Sequence, residues 1–362
     1  MNKDRKITEE KAKHFAYKSL AEIIMPVIAV IIGLIVGAIF MMIVGSSPIE
    51  AYKVLWNSAF GSVRGFAETL LNTSPLIFTG LAVAFAFRTG LFNIGGDGQF
   101  LVAYTAAAWI GYVIQLPPFL HVPLALLFGI IAGGLWGGFA GYLKASLGVH
   151  EVITTIMMNY IALYLVGYLV GDLWKAPGPI PATPKIYQSA RLFRFIPGSR
   201  LNASIFIALL AALIIYYILW KTSLGYELRA VGLNPVASEY GGIHVAKNLV
   251  LSMFISGSLA GLAGATQVLG LEFRAYQPFG FIGYGFTGIA VALLGKNHPA
   301  GVVLGALLFG VLARGSMQMQ SMAGVPKEVI EIIQAIIIIF VAAEYLFTII
   351  SKKLKRRAID AN

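Results

Sequence analysis

The chain has 362 residues, 58% of them apolar and 12% charged, with a formal net charge of +11 and no cysteine. So small a charged share, together with many long apolar runs, marks a polytopic all-α membrane protein and excludes a soluble globular chain. Without cysteine there are no disulfides, thiolate metal sites or cysteine nucleophiles. The basic residues gather at the tails and in short loops, where membrane orientation accounts for them without nucleic acid.

In chain order, the tail 1–19 carries Lys3, Arg5, Lys6, Lys11, Lys13 and Lys18 and is expected in the cytoplasm. Leu20–Val44 is too long for a signal-peptide core and lacks an A-x-A site after it, so it reads as a retained anchor. Ten membrane segments are predicted: Leu20–Val44, Ser74–Thr89, Gln99–Ile114, Pro123–Lys144, Val152–Leu173, Ala203–Trp220, Asn248–Leu271, Phe286–Leu294, Gly301–Arg314 and Val329–Ile350. The eighth, at roughly nine residues against the ~20 of a straight crossing, either extends back through Phe281 or is a half-span. An even count returns the tail 351–362, with its KKLKRR run at Lys352–Arg357, to the cytoplasm, so both ends lie inside. This places 17 Lys/Arg inside and 10 outside. Residues 20–350 form a single transmembrane domain in this reading, with some helices broken or short.

Two outer loops are large. Ser46–Thr73 has amphipathic spacing (Tyr52, Leu55, Trp56, Phe60, then Phe66 and Leu70) and is expected to hold an interfacial helix. Trp174–Asn202, with five prolines and five basic residues, is expected as a solvated loop or a docking surface. An internal echo pairs TGLAVA at Thr79–Ala84 with TGIAVA at Thr287–Ala292. Each is followed by a Gly-containing polar break, although an Ala/Gly/Val-rich chain matches itself readily.

Three stretches carry the candidate chemistry. Leu91–Gln99, LFNIGGDGQ, sets Asn93, Asp97 and Gln99 between apolar segments, with Gly95, Gly96 and Gly98 allowing the backbone to leave the helix. Polar groups in a broken membrane helix point to a solute path, the alternative being a simple turn. After His150, the run EVITTIMMNYIA puts Glu151, Thr155 and Asn159 on one helical stripe. Asn159 there either bonds neighbouring helices or lines the path. The inner loop Lys221–Lys247 spells a short helix over Pro235–Tyr240: Asn234 suits the N-cap, Pro235 the first turn, and Gly241–Gly242 the stop. At about 9 Å such a helix cannot cross the membrane. It is either a connector or a knob for a partner's groove.

FNIGGDGQ, HEVITTIMMNYIA and RAVGLNPVASEYGGI occur in this order in the permease subunits of bacterial ATP-driven (ABC) importers of the branched-chain amino acid and ribose type, which the chain resembles from about Leu20 to Ile350. The tract GLAVAFAFRTGLFNIGGDGQ looks most like the members that import nucleosides. Two departures stand out: Gly96–Asp97 where relatives carry Val or Ala and then Glu, and His150 where they often carry Asn. The resemblance implies that the capped inner helix is the coupling helix that inserts into the ATPase, on residues matching Arg229, Gly232, Asn234, Ala237, Tyr240, Gly241 and Gly242. The polar stretches themselves make Asn93, Asp97, Gln99, Glu151, Thr155 and Asn159 the candidate solute path. The resemblance further implies a cytoplasmic ABC ATPase holding ATP and Mg, a second, related permease chain, an extracytoplasmic solute-binding protein, and a multi-pass location in the bacterial inner membrane.

No Walker A pattern occurs, so any ATP hydrolysis belongs to another polypeptide, and this chain carries no cofactor and is not itself an enzyme. The alternatives are an importer of the same type for a sugar or branched-chain amino acid, and an ion-coupled carrier using Asp97 and Glu151, for which no carboxylate–His or carboxylate–Arg relay is evident on one helix. An intramembrane enzyme is disfavoured by scattered histidines and the absence of H-E-x-x-H and G-x-S-x-G. Phe92, Trp109 and Tyr160 are candidates for stacking on a base, against the commoner role of packing.

Overall fold

A computed structural model describes residues 26–341. The described part is mainly helical, with one long irregular segment at Trp174–Asn202, and divides into two compact units. Seven of its helices are long and apolar enough to cross a membrane, so the chain is a multi-pass membrane protein. Every one of the ten expected segments falls on a helix, the outer ends of the first (20–25) and last (342–350) lying outside the described residues.

The unit formed by 26–55 and 315–341 contains helix α1 (Pro26–Ile43) and the helical stretch 327–341. They meet where Gly33 and Gly37 face Ile337 and Ile333; a Cβ on Gly37 would lie 2.3 Å from Ile333 Cγ1. Small residues allow the backbones this approach, the usual means of pairing helices in lipid.

The unit formed by 56–314 holds the candidate site. Helix α2 spans Pro48–Phe60, and α3 spans Val63–Arg88, opened by Ser62, whose hydroxyl accepts from the Gly65 N–H at 3.0 Å. The expected interfacial helix is thus two pieces. Phe66 and Leu70 belong to α3, which starts eleven residues before the expected Ser74. Amphipathic spacing did not distinguish a surface helix from the first turns of a long, mostly buried one.

The centre of this unit is a glycine-faced pair. Helix α4 spans Gly96–Val113, α5 Pro118–Leu147 and α6 Glu151–Tyr168; α7 spans Ser204–Lys221, α8 Ser223–Leu233, α9 Pro235–Tyr240 and α10 Val245–Gln267. Gly129, Gly133, Gly137 and Gly141 recur every fourth residue along α5; the first three meet Gly257 and Gly261 of α10, and Gly141 meets Val250 and Met253. A Cβ on Gly133 would sit 2.5 Å from the Gly257 oxygen, and one on Gly257 2.3 Å from the Gly133 oxygen. α4 packs across both, with Gly264 of α10 against the Phe100 oxygen. Single π-turns at Leu169–Leu173 and Val268–Glu272 lengthen α6 and α10.

Helix α11 spans Tyr284–Leu294 and α12 Pro299–Ala323. α11, at 11 residues, is about 16 Å long and does not reach back through Phe281, because Gly283 turns the chain at φ +88°. It is therefore too short to cross as a straight helix. It packs on α3, and the two echo segments touch each other: a Cβ on Gly80 would lie 2.7 Å from Val291 Cγ1, and one on Gly288 2.7 Å from Thr79 Oγ1.

The loop Trp174–Asn202 is not a solvated loop. Its backbone bonds to the segment after α10: Thr183 N–H to the Ala275 oxygen, Ile186 N–H to that of Phe273, and Leu192 N–H to that of Leu269, at 2.8–2.9 Å. Ala182, Thr183, Ile186, Ala190 and Leu192 are buried. The clip is Glu68 of α3, buried, which accepts from Arg200 Nη2 at 2.7 Å, from Arg200 Nε at 3.1 Å and from the Arg200 backbone N–H at 3.0 Å. The prolines exclude helix and sheet, but backbone groups that find partners on the same chain still give an ordered cap.

Candidate functional site

The break between α3 and α4 is a strap. Gly90 takes φ +75°, Leu91–Ile94 run irregularly, and α4 restarts at Gly96. A buried strap cannot satisfy its own backbone, so side chains do so. Asn93 Oδ1 accepts from the Gly95 N–H at 2.9 Å, while Asn93 Nδ2 donates to Gln99 Oε1 (2.9 Å) and to Ser256 Oγ (2.8 Å) on α10. Ser256 in turn donates to the Ala82 oxygen on α3 at 2.6 Å. Asn159 reaches across from α6, donating to the Ile94 oxygen at 2.9 Å and accepting from the Gly98 N–H at 2.7 Å. Gly98 is required by this approach, since a Cβ there would lie 2.8 Å from Asn159 Oδ1.

Asp97 is the other anchor. It stands in the first turn of α4, and its carboxylate also receives the start of α11. The N–H groups of Gly283 and Gly285 donate to Oδ1 (3.1 and 3.2 Å), and that of Phe286 to Oδ2 (3.3 Å). Two helix N-termini thus converge on one carboxylate, a favourable place for negative charge. Gly96 and Gly285 pack backbone to backbone, a Cβ on Gly285 meeting the Asp97 nitrogen at 2.4 Å.

The structure brings Asn93, Asp97, Gln99, Thr155 and Asn159 into one buried junction, each about 1% exposed. Thr155 joins by packing against Gly95 and donates to the Glu151 oxygen at 2.8 Å. Glu151 stands apart, one helical turn away, paired with Lys144 Nζ at 2.9 Å. Asn159 bonds helices together, the first of the two roles open to it. The three aromatic candidates each touch another aromatic: Phe92 stacks on Phe87 (4.9 Å between centroids), Tyr160 meets Phe281 (5.3 Å) and Trp109 meets Trp174 (6.3 Å).

The inner loop folds into two helices, α8 and α9. α8 is absent from the sequence expectation, although Thr222 signals it by accepting from the Gly225 N–H at 3.1 Å. Asn234 ends α8 and caps α9, its Oδ1 accepting from the Ala237 N–H at 3.0 Å, and Gly242 at φ +82° follows. Ser238 faces inward, while Val236, Ala237 and Tyr240 are exposed, Tyr240 at 91%. Arg229 turns back on α8, donating to the Gly225 oxygen at 3.2 Å. Gly232 stands on α8, not on the exposed face of α9, and lies against the end of α3, so that a Cβ there would fall 2.3 Å from the Arg88 oxygen.

Arg88 closes this end of the unit. Its Nε donates to the Asn297 oxygen (2.9 Å) and Nη2 to the Lys296 oxygen (3.2 Å), both in the left-handed turn that follows α11. The guanidinium lies over the Trp220 ring at 5.2 Å, and that ring also meets His298 at 4.9 Å. Burial and then the Arg88 charge hold His298 below the usual imidazole value, which keeps it neutral beside the guanidinium. Sequence reading missed Arg88, Ser256 and Gly283–Phe286, whose roles rest on contacts far along the chain. It also missed the α5 glycines, whose spacing of four was visible.

The family described as "Branched-chain amino acid transport system / permease component" matches residues 65–342, which include the strap, the junction and both inner helices. The chain belongs to this family. It is 48% identical over 348 residues to the guanosine ABC transporter permease protein NupP of Bacillus subtilis (strain 168), covering 95% of this chain and 99% of that one. It is 38% identical to the nucleoside ABC transporter permease protein NupB of Lactococcus lactis subsp. cremoris (strain MG1363), covering 92% and 94%. It is 32% identical to the glucose ABC transporter permease protein TsgB13 of Haloferax volcanii, covering 89% and 87%. As a member of this permease family the chain is a transport component, and its nearly full-length likenesses are permeases too.

Proposed function

We propose that this permease forms the membrane path of an ABC importer for nucleosides. The observation that carries the reading is the 48% identity to a guanosine permease along nearly the whole of both chains. A cytoplasmic ATPase binds ATP and Mg2+ and docks on α9, whose capped, rigid frame and exposed Val236, Ala237 and Tyr240 suit a groove. A second, related permease completes the path, and an extracytoplasmic binding protein delivers solute. The chain crosses the bacterial inner membrane ten times with both tails inside, in keeping with its basic ends. Asn93, Asp97, Gln99, Thr155 and Asn159 border the path by holding the broken helices that shape it, with Glu151 at its inner end; the Asn93–Gln99 pair and the bonds of Asn159 to the strap and of Asp97 to the start of α11 support this role.

The experiment is uptake into proteoliposomes holding the permease with its ATPase, second permease and binding protein. ATP-dependent accumulation of radiolabelled guanosine supports the reading. Because the 32% identical relative carries a glucose name, labelled glucose is the competing substrate. Accumulation of glucose alone, or uptake driven by an ion gradient without ATP, would overturn it.

A further inference from the structure

Helix α11 is held at both ends by one short piece of chain. Arg88 and Asp97 bracket the strap, nine residues apart. Asp97 receives the three free N–H groups at the start of α11, and Arg88 binds the two carbonyls that follow its end. A carboxylate sits at the positive end of the helix dipole and a guanidinium at the negative end, so charge and hydrogen bonding act in the same sense at both. Strap and half-helix are therefore expected to move as one body. That body has a contact on the side of the inner helices: the Gly232 Cα of α8 approaches Gly90 and the Arg88 carbonyl with no side chain between. α8 is continuous with α9 through Asn234, which ends one helix and caps the other.

We propose that Arg88 and Gly232 are positioning residues that carry displacement of the ATPase-docking helix α9 to the strap and half-helix α11. The route is α9 to α8 through Asn234, α8 to the strap at Gly232, and the strap to α11 through Arg88 and Asp97. Packed backbones transmit a shift because they have no compliant side chain to absorb it. Arg88 is suited to the last step: it grips two carbonyls in a planar fork and is steadied by the Trp220 ring, a geometry lysine does not reproduce. The inference rests on the importer reading, and its test separates the two.

Two variants act on different atoms. Arg88→Gln removes the grip on the Lys296 and Asn297 carbonyls. Gly232→Ala removes no polar group and wedges α8 away from α3, since the new Cβ would fall 2.3 Å from the Arg88 oxygen. The full transporter is purified and reconstituted, and uptake and ATP hydrolysis are measured together. In parallel, spin labels at Ile282→Cys, beside the start of α11, and Leu135→Cys, on the exposed face of α5, report the position of α11 with and without ATP; the chain has no other cysteine.

In the parent background the label distance is expected to change with ATP. In both variants the ATPase stays bound and hydrolyses ATP, the distance change is lost, and solute carried per ATP falls at least about fivefold, the low end of coupling between sites. Arg88→Lys recovers only part of the loss. Unchanged distance response or unchanged solute per ATP in the variants overturns the proposal. So does loss of the ATPase from the complex, which would make these residues part of the docking surface instead of a relay. Failure of the parent complex to import any solute with ATP counts against the importer reading; the ATP-driven distance change, comparing parent with variants, judges the relay by itself.

Discussion

Replacing Asp97 tests the junction most directly. Asp97→Ala takes the acceptor from three backbone donors, those of Gly283, Gly285 and Phe286, at the start of a half-helix in a largely buried setting. Each stranded donor costs about 1–3 kcal/mol, with partial relief where water reaches the exposed Phe286 position, so we expect a loss of about 3–5 kcal/mol. For a chain of this size that corresponds to a fall of about 4–7 °C in melting temperature. Asp97→Asn is milder. Its carbonyl can keep Gly283 and Gly285, but its NH2 then faces the Phe286 N–H, losing one bond and opposing two donors at about 1–3 kcal/mol. The assays are melting in detergent and ATP-dependent uptake. Asn should lower uptake in a complex that still assembles, and Ala should lower both uptake and melting temperature. If Asp97→Ala melts with the parent and transports normally, the two-helix anchor is an incidental contact and the argument from satisfied N-termini fails.

Three further outcomes are expected. Ala237→Arg adds a long side chain beside Tyr240 on the exposed face of α9; the protein should insert in the membrane yet lose the ATPase on co-purification, and retention of both ATPase and uptake would reduce α9 to a connector. Arg200→Ala leaves the buried Glu68 carboxylate without its main partner. Breaking a buried pair costs about 3–5 kcal/mol, and the half-exposed Arg200 places this case at or below the lower end, about 2–3 kcal/mol, read as faster proteolysis within Trp174–Asn202 and a lower melting temperature. Single cysteines at Gln188 and Glu239, both exposed, should react with an impermeant thiol reagent only from outside and only after permeabilisation, respectively; the opposite pattern would invert the topology. Gln188 is preferred to its neighbour Ser189, whose hydroxyl is engaged 2.8 Å from His121 Nδ1.

Much of this architecture follows from local chemistry. Long apolar runs become helices because lipid leaves the backbone no other way to satisfy itself, and all ten runs are helical wherever they are described. The frame of α9 was legible residue by residue, since Asn234, Pro235 and Gly242 act within one turn of where they stand. The strap was legible as a break for the same reason: glycines and polar groups interrupt an apolar run. What the strap holds was not. Asp97 to Phe286 and Arg88 to Asn297 are each separated by about two hundred residues, and no local pattern encodes which distant N–H or carbonyl a side chain will meet. The Trp174–Asn202 loop shows the same division. Its prolines excluded regular structure locally, but its burial depended on partners at Glu68 and at residues 269–275. Caps, breaks and spans are decided within a turn or two of chain; the anchoring of α11, the clip at Glu68 and the contact at Gly232 arise only when packing brings unrelated backbone groups together, because there each group's partner is chosen by the fold and not by its neighbours.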